Sequence, residues 1–150
     1  MAFVFGSKSE ERLSTIHPDL QLVFRKALAC SEVDFGIAEG HRSVERQQKL
    51  YAQGRTEPGM VVTRIDGVKV KGKHNFLPSR AGDIYAFVGG KALWSERYLV
   101  YLGGVIMTTA KRLFAEGRIH HQIRWGGNWD RDGFILDDQN FDDLPHFELL

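Results

Sequence analysis

Apolar residues recur at helical spacing in two long stretches of the chain. Over residues 18–30 they return every three or four positions, which predicts a helix with Pro18 in its first turn. Residues 96–116 predict a longer helix. Because its first half is apolar nearly all round, we expect it to be the central buried helix. Shorter helices are predicted to begin near Ser9 and to span residues 44–53 after an N-cap serine.

Strand-like patterns fill the spaces between these helices. The predicted single strands are residues 33–38, 123–125 and 146–149. Residues 84–93 predict a hairpin that turns at a Gly-Gly pair, and residues 61–71 predict a second hairpin that turns at Asp-Gly. Hairpins, rather than repeated βαβ units, indicate an α+β fold with a largely antiparallel sheet and flanking helices.

Length and charge narrow this picture. A chain of 150 residues, of which 43% are hydrophobic, is long enough for one domain with a core, so we predict a single domain over residues 1–150. Twenty basic residues are balanced by nineteen acidic ones. Nucleic-acid-binding domains usually carry a basic excess, so no nucleic-acid partner is predicted.

The chain contains one cysteine and no obvious targeting segment. Cys30 lies in an apolar stretch, which predicts a buried structural thiol and excludes an internal disulfide. The N-terminal residues lack the basic region and apolar run of a signal peptide. The longest apolar run, residues 98–107, is shorter than the ~20 residues of a membrane span. We therefore expect a soluble chain without stable membrane association.

Two separated segments carry candidate chemistry. In KGKHNFLPSRAGDIY, His74 follows a predicted turn and Asp83 enters an apolar strand, where a carboxylate needs a cation or backbone donors. In DLPHFEL, His146 lies on the strand face opposite Phe147, and Asp143 precedes it by three residues. Taken singly, each residue also fits an ordinary surface or turn position, and spacing alone does not bring the two segments together.

Together the segments supply a donor set that suits zinc. Catalytic zinc sites commonly use three protein ligands and keep one position open, and His74, Asp83 and His146 would provide those three. Asp143 would then be a separate general base.

Two further residues are candidate substrate contacts. Arg42 lies between a strand and a helix, and its planar group suits a carboxylate or peptide carbonyl, although an ion pair with Glu39 or Glu45 is equally compatible. Trp125 precedes two glycines and would line a peptide groove, the alternative being a core tryptophan. The acidic residues 130–138 lack the regular alternation and final Glu of an EF-hand, so no calcium site is predicted.

Several motifs in order resemble the phage endolysin branch of the zinc D-Ala-D-Ala carboxypeptidase/VanY-like (M15) peptidases, which includes L-alanyl-D-glutamate endopeptidases. The resemblance runs over nearly the whole chain, through VDFGIAEGHRSVERQQKLYAQG, KHNFLPSRAGDIY, IRWGGNWDRDG and DLPHFEL. It implies the small α+β zinc-peptidase fold shared with the hedgehog signalling domain, without a separate wall-binding domain. It also implies Zn²⁺ ligands at His74, Asp83 and His146, a catalytic Asp143 and a substrate-contacting Arg42.

The implied function is hydrolysis of peptidoglycan stem peptides at the L-Ala–D-Glu bond during host lysis. We expect a monomer made in the host cytoplasm that reaches the wall after release by a holin. Two alternatives stay open: a D,D-carboxypeptidase or dipeptidase acting on D-Ala-D-Ala termini, and a non-catalytic zinc-containing binding module. Gly72 replaces the family's usual Ser or Thr, and the His74–Asp83 spacing is long, so substrate contacts are where this chain departs from the pattern.

Overall fold

The computed structural model describes residues 2–150 as four α-helices, a short 3-10 turn and five strands. The helices are α1 (Ser7–Leu13), α2 (Pro18–Cys30), α3 (Val44–Ala52) and α4 (Glu96–Ala115); the 3-10 turn is Lys73–Asn75. The strands are β1 (Asp34–Glu39), β2 (Ala81–Val88), β3 (Lys91–Leu93), β4 (Ile123–Gly126) and β5 (Asp143–Leu149). This composition confirms the predicted α+β class.

All strand pairs in the sheet are antiparallel, as predicted. The strand order is β1-β2-β5-β4, and β3 pairs with the end of β2 through the predicted Gly-Gly hairpin. Strand β2 is therefore central: β1 lies along one edge, and β5 pairs with its first three residues. The beginning of β2 and the middle of β5 consequently meet in the interior of the sheet.

The two faces of the sheet have different neighbours. Phe147 and Leu149 of β5 are fully buried together with Ile84 of β2, in the core formed with α2 and α4. Because side chains alternate along a strand, the residues between these core positions project from the opposite face. Asp83, His146 and Glu148 are those residues, and their alternation with the core positions places polar groups on the face away from the two long helices.

Most predicted elements are confirmed. The helices over residues 18–30 and 44–53 are present with one-residue differences at most, and the side chain of Ser43 caps α3 by accepting a hydrogen bond from the Arg46 amide. The strands predicted at 33–38, 123–125 and 146–149 correspond to β1, β4 and β5.

The predicted hairpin over residues 61–71 is wrong. The carboxylate of Asp66 accepts hydrogen bonds from the amides of Val68, Lys69 and Val70, which forms a side-chain-stabilised turn. No strand is assigned between residues 53 and 80 of the described chain. The valines flanking the turn are exposed, so β-branched residues here had no sheet face to occupy.

Two predictions about burial also need correction. Helix α4 buries one face only, since Tyr101 and Phe114 are 39% and 40% exposed, so it covers the sheet and is not surrounded by other elements. Cys30 is exposed because it is the last residue of α2, beyond the buried face of that helix. Among residues 2–150, no helix has the length and apolar character needed to cross a membrane.

Candidate metal centre and catalytic cleft

Asp83 and His146 are direct partners across the β2–β5 pair. Opposed residues of an antiparallel pair project from the same face with their Cβ atoms about 5 Å apart. Asp83 Oδ1 accordingly lies 3.1 Å from His146 Nδ1. The sheet register therefore joins two segments that are 63 residues apart in the chain.

His74 completes this arrangement from the 3-10 turn. Its Nε2 atom lies 3.2 Å from Asp83 Oδ1 and 3.3 Å from His146 Nδ1. His74, Asp83 and His146 thus point three ligand atoms at one another, and both imidazoles are buried. These are the three residues that the sequence predicted as metal ligands.

The spacing of the three atoms suits a small tetrahedral cation. Zinc bonds of about 2.0–2.1 Å in tetrahedral geometry separate the ligand atoms by about 3.3 Å. The protein's separations of 3.1 to 3.3 Å are close to that value. Two imidazole nitrogens and a carboxylate are also a donor set that zinc accepts. The residues therefore fit the metal that the sequence pattern implied.

The electrostatics of the centre also favour positive charge. Burial alone would raise the pKa of Asp83, but the charges of His74 and His146 and their hydrogen bonds hold it well below its ordinary value. Burial alone would lower the pKa of His146, but bonds to Asp83 and Glu148 outweigh it and raise the pKa to about 10. A divalent cation would satisfy the same preference.

Each histidine is oriented by a second contact. His74 Nδ1 donates to the carbonyl oxygen of Gly40 at 2.7 Å, which leaves Nε2 free to face the centre. His146 Nε2 donates to Glu148 Oε1 at 2.8 Å, which directs Nδ1 at the centre. Arg124 in turn donates to the other oxygen of Glu148. Such outer contacts fix the tautomer and direction of metal-binding histidines.

Asp143 lies beside the three-residue centre without belonging to it. Its Oδ2 is 4.0 Å from His146 Nδ1, and its side chain is 31% exposed to the cleft. Burial and the neighbouring Asp83 carboxylate raise its pKa to about 6. A carboxyl with a pKa near neutrality can both accept and donate a proton at physiological pH.

Arg42 faces the same cleft but is engaged by protein groups. Its guanidinium donates to both oxygens of Glu39, to Gln47 Oε1 at 2.9 Å and to Asp83 Oδ2 at 3.5 Å. The side chain is only 10% exposed. The predicted ion pair with Glu39 is therefore present inside the cleft instead of on the surface. Arg42 holds the Asp83 oxygen that points away from the histidines.

Trp125 is a correction to the predicted site. The residue is 3% exposed, and its ring stacks on Phe147 at 6.3 Å between centroids and donates its N–H to the Leu144 carbonyl. The alternative of a core tryptophan is the one observed. The aromatic residue that lines the cleft is Trp129, whose ring centroid lies 5.6 Å from that of His146.

The centre opens into a cleft of about 620 Å³. One wall comes from the irregular segment around residues 62–65 and the other from residues 139–143, with Arg64 lying over the ring of Phe141. An open cleft leaves the ligand triangle accessible to water and to an extended chain.

Sequence reasoning missed three contributors to this site. Glu148 had a signal, because residues two apart on a strand share a face and Glu148 follows His146 at that spacing. For Trp129, the only signal in the sequence was its position shortly after the glycine turn. The sequence held no signal for the Gly40 carbonyl, because every residue carries a backbone oxygen.

Two other groups of candidate ligands are present among residues 2–150. His17, Asp19 and His121 gather at the start of α2, where Asp19 accepts bonds from the His120 amide and His121 Nδ1. Three exposed carboxylates, Asp130, Asp132 and Asp138, gather in the loop before β5. Neither group lies in the cleft.

An α+β domain with an open cleft, a two-histidine and one-carboxylate centre, and a further carboxylate beside it has the architecture of a metal-dependent hydrolase. A match to a protein-family model identifies the kind of hydrolase. The chain belongs to the phage L-alanyl-D-glutamate peptidase family, whose model matches residues 1–150.

Individual relatives agree with this assignment. The L-alanyl-D-glutamate peptidase of Escherichia phage T5 is 27% identical over 154 residues, which cover all of both chains. The peptidoglycan L-alanyl-D-glutamate endopeptidase CwlK of Bacillus subtilis strain 168 is 29% identical over 91% of this chain and 75% of its own. The crystal structure of the Serratia marcescens L-Ala D-Glu endopeptidase ChiX superimposes with a TM-score of 0.68 at 27% identity, covering 98% of this chain and 90% of ChiX.

Proposed function

We propose that this protein is a zinc-dependent endopeptidase that hydrolyses the L-Ala–D-Glu amide of peptidoglycan stem peptides. The observation that carries the proposal is the triangle of His74 Nε2, Asp83 Oδ1 and His146 Nδ1, with Asp143 beside it in an open cleft. Membership of the L-alanyl-D-glutamate peptidase family supports the choice of bond.

His74, Asp83 and His146 would hold the metal, and their outer contacts would keep both imidazoles in the required tautomer. Zinc bound there would act as a Lewis acid that lowers the pKa of water and stabilises negative charge developing on the amide oxygen.

Asp143 is the proposed proton carrier. Its carboxylate accepts the proton of the attacking water and later donates it to the departing amine. The pKa of about 6 suits both steps at neutral pH, because the deprotonated form predominates while the group can still release its proton readily.

Arg42 is the proposed substrate contact on the opposite side of Asp83. Because its guanidinium already bonds Glu39, Gln47 and Asp83, it is held rigidly in the cleft. A fixed guanidinium can direct its remaining N–H at a peptide carbonyl or carboxylate without a further loss of side-chain freedom.

Turbidity of a purified peptidoglycan suspension tests the proposal. The zinc-loaded protein should clear the suspension, treatment with a chelator should abolish clearing, and added zinc should restore it. Asp143→Asn should lower the rate about 10²- to 10⁴-fold while retaining zinc, since a general base commonly contributes that much. Asp137→Asn removes an exposed carboxylate outside the cleft and should leave the rate unchanged.

Full activity of the zinc-loaded Asp143→Asn variant would contradict the assignment of Asp143 as the general base. Clearing that persists in the chelator-treated protein would sink the metal assignment. A protein that binds wall fragments without releasing soluble peptides would be a binding module instead of an enzyme.

The site of action follows from the proposed substrate. We propose that the protein is an endolysin, a monomer without stable membrane association that is made in the host cytoplasm and reaches the wall after release by a holin. The similarity to the L-alanyl-D-glutamate peptidase of Escherichia phage T5 supports the proposal of a phage protein.

A further inference from the structure

We propose that Lys73 binds the free carboxylate of the D-glutamyl residue that follows the cleaved bond, and that this contact makes the protein prefer a substrate that carries the carboxylate. This inference rests on the proposed function and adds a specificity-determining contact to it. Lys73 takes no part in holding the metal or in carrying the proton.

The position of Lys73 is fixed with respect to the centre. It immediately precedes His74 in the 3-10 turn, so the two Cα atoms are about 3.8 Å apart. The Lys73 carbonyl accepts a hydrogen bond from the Arg80 amide at 2.9 Å, and the Asn75 side chain donates to the Arg42 carbonyl. Lys73 is half-buried and is one of the residues that line the cleft beside His74.

Lys73 also differs from the other cations of the cleft in its partners. Arg42 is engaged by two carboxylates and an amide. Arg64 has no carboxylate partner among the described residues either, but it is exposed and lies over the ring of Phe141 at 5.4 Å, whereas Lys73 is half-buried. Within the described residues, no carboxylate oxygen lies within 4.0 Å of the Lys73 ammonium group. A lysine in a cleft without an anionic partner attracts a carboxylate ligand.

The rest of the cleft explains why an acidic substrate needs such a residue. Four carboxylates line it: Glu39, Asp83, Asp143 and Glu148. They would repel an anionic peptide wherever their charge is not compensated. Lys73, which has no carboxylate partner among the described residues, would offset this repulsion.

The chemistry of the substrate fits the position. When D-Glu continues the stem peptide through its side-chain carboxyl, its other carboxylate is attached to the carbon next to the scissile nitrogen. A carboxylate that close to the reacting amide must lie within a few ångströms of the centre. Lys73 is adjacent in the chain to His74, a proposed metal ligand. Its flexible four-carbon side chain can reach the substrate carboxylate from there.

Two synthetic peptides test this assignment. Both contain N-acetyl-L-Ala, D-Glu and L-Lys, with the lysine joined through the D-Glu side-chain carboxyl; in the second, the free carboxylate is converted to a carboxamide. The unchanged protein should cleave the acid more efficiently than the amide. Lys73→Met should lower kcat/KM about 10- to 100-fold on the acid, mainly through a higher KM, and much less on the amide.

Two further variants separate recognition from folding. Lys73→Arg should retain most activity on the acid, because it keeps the cation. Lys69→Met makes the same change of side chain and charge at an exposed position outside the cleft, and it should match the unchanged protein on both peptides.

Equal losses on the acid and the amide in the Lys73→Met variant would overturn the inference, because the lysine would then support the structure and not the carboxylate. Equal cleavage of both peptides by the unchanged protein would overturn it as well. If the unchanged protein cleaves neither peptide, the proposed function fails and the inference fails with it.

Discussion

At the scale of single residues, the centre depends on contacts one layer away from the proposed ligands. His146 presents Nδ1 to the centre because Nε2 is bonded to Glu148, and Glu148 is itself held by Arg124. Burial alone would raise the pKa of Glu148, but the bonds from His146 and Arg124 lower it to about 2. Glu148 is therefore ionised at neutral pH and increases the basicity of the imidazole that it orients.

Replacement of Glu148 by Gln should weaken zinc binding. The amide keeps the volume of the side chain but removes the charge that orients His146, and loss of such a partner typically costs about 10- to 100-fold in metal affinity. Competition with a chromophoric chelator measures the change. Glu116→Gln, at an exposed helix end, is the matched control, and equal affinity of the two variants would contradict the role of Glu148.

The gathering of four residues at the centre was predictable, whereas parts of their surroundings were not. His74, Asp83, Asp143 and His146 stand in motifs that the sequence displays in order. Trp125 was misassigned because an aromatic residue before two glycines fits a groove as well as a core, and only packing separates the two. The structure shows what the second glycine does: a Cβ at Gly127 would lie closer than 3.0 Å to the Trp125 ring.

At the scale of elements, α4 lies against the strand that carries Trp125. Gly103 is the contact point, because a Cβ there would also lie closer than 3.0 Å to the Trp125 ring, whereas a Cβ at Gly104 would meet nothing within 4 Å. The close approach of helix and sheet thus depends on one of the two adjacent glycines and not on the other.

Alanine substitution at the two glycines should have opposite effects on stability. Gly104→Ala should stabilise the protein by up to about 1 kcal/mol, because alanine is the better helix former. Gly103→Ala should destabilise it by about 1–3 kcal/mol, because overpacking outweighs that gain. Urea unfolding monitored by tryptophan fluorescence measures both, and equal stabilities would contradict the packing described for α4.

The start of α2 is tied to the segment before β4 by Asp19. Burial alone would raise the pKa of Asp19, but the bonds from His121 and from the His120 amide lower it below its ordinary value of 3.8. Because the folded pKa is lower than the unfolded one, the stabilising contribution is complete above 3.8. It is lost as the pH falls through the folded value.

Asp19→Asn should therefore reduce the free energy of unfolding by about 1.5–3 kcal/mol at pH 7, the usual range for hydrogen bonds to a charged group. The difference from the unchanged protein should shrink once the pH falls below 3.8 and approach zero when Asp19 is protonated in both states. Urea titrations at a series of pH values measure it. A difference that is the same at every pH would show that the charge of Asp19 is not the cause.

Elements with strong local signals were predicted and the irregular segment was not. Helix α2 has both periodicity and a Pro start, and the β2–β3 hairpin has its Gly-Gly turn. Residues 61–71 have equally β-like composition, but their amides and carbonyls have no neighbouring strand to pair with. Asp66 satisfies three of the amides instead, a long-range outcome that local propensity does not encode.

At the scale of the whole molecule, one sheet serves two purposes. The face of the sheet that the helices cover holds the apolar core, and the other face holds the centre. Where β2 and β5 pair, core residues therefore alternate with residues that face the cleft. The register Asp83 opposite His146 is the feature on which the site depends. A slip of β5 by one residue against β2 would turn His146 towards the core while Asp83 stayed on the cleft face, and the centre would be lost.

The identity of the bond cleaved in the wall tests the central claim most directly. Mass spectrometry of purified peptidoglycan digested by the zinc-loaded protein should show new carboxyl termini on L-Ala and new amino termini on D-Glu. Release of terminal D-Ala from stem peptides that keep an intact L-Ala–D-Glu bond, or the absence of any new termini, would contradict the account.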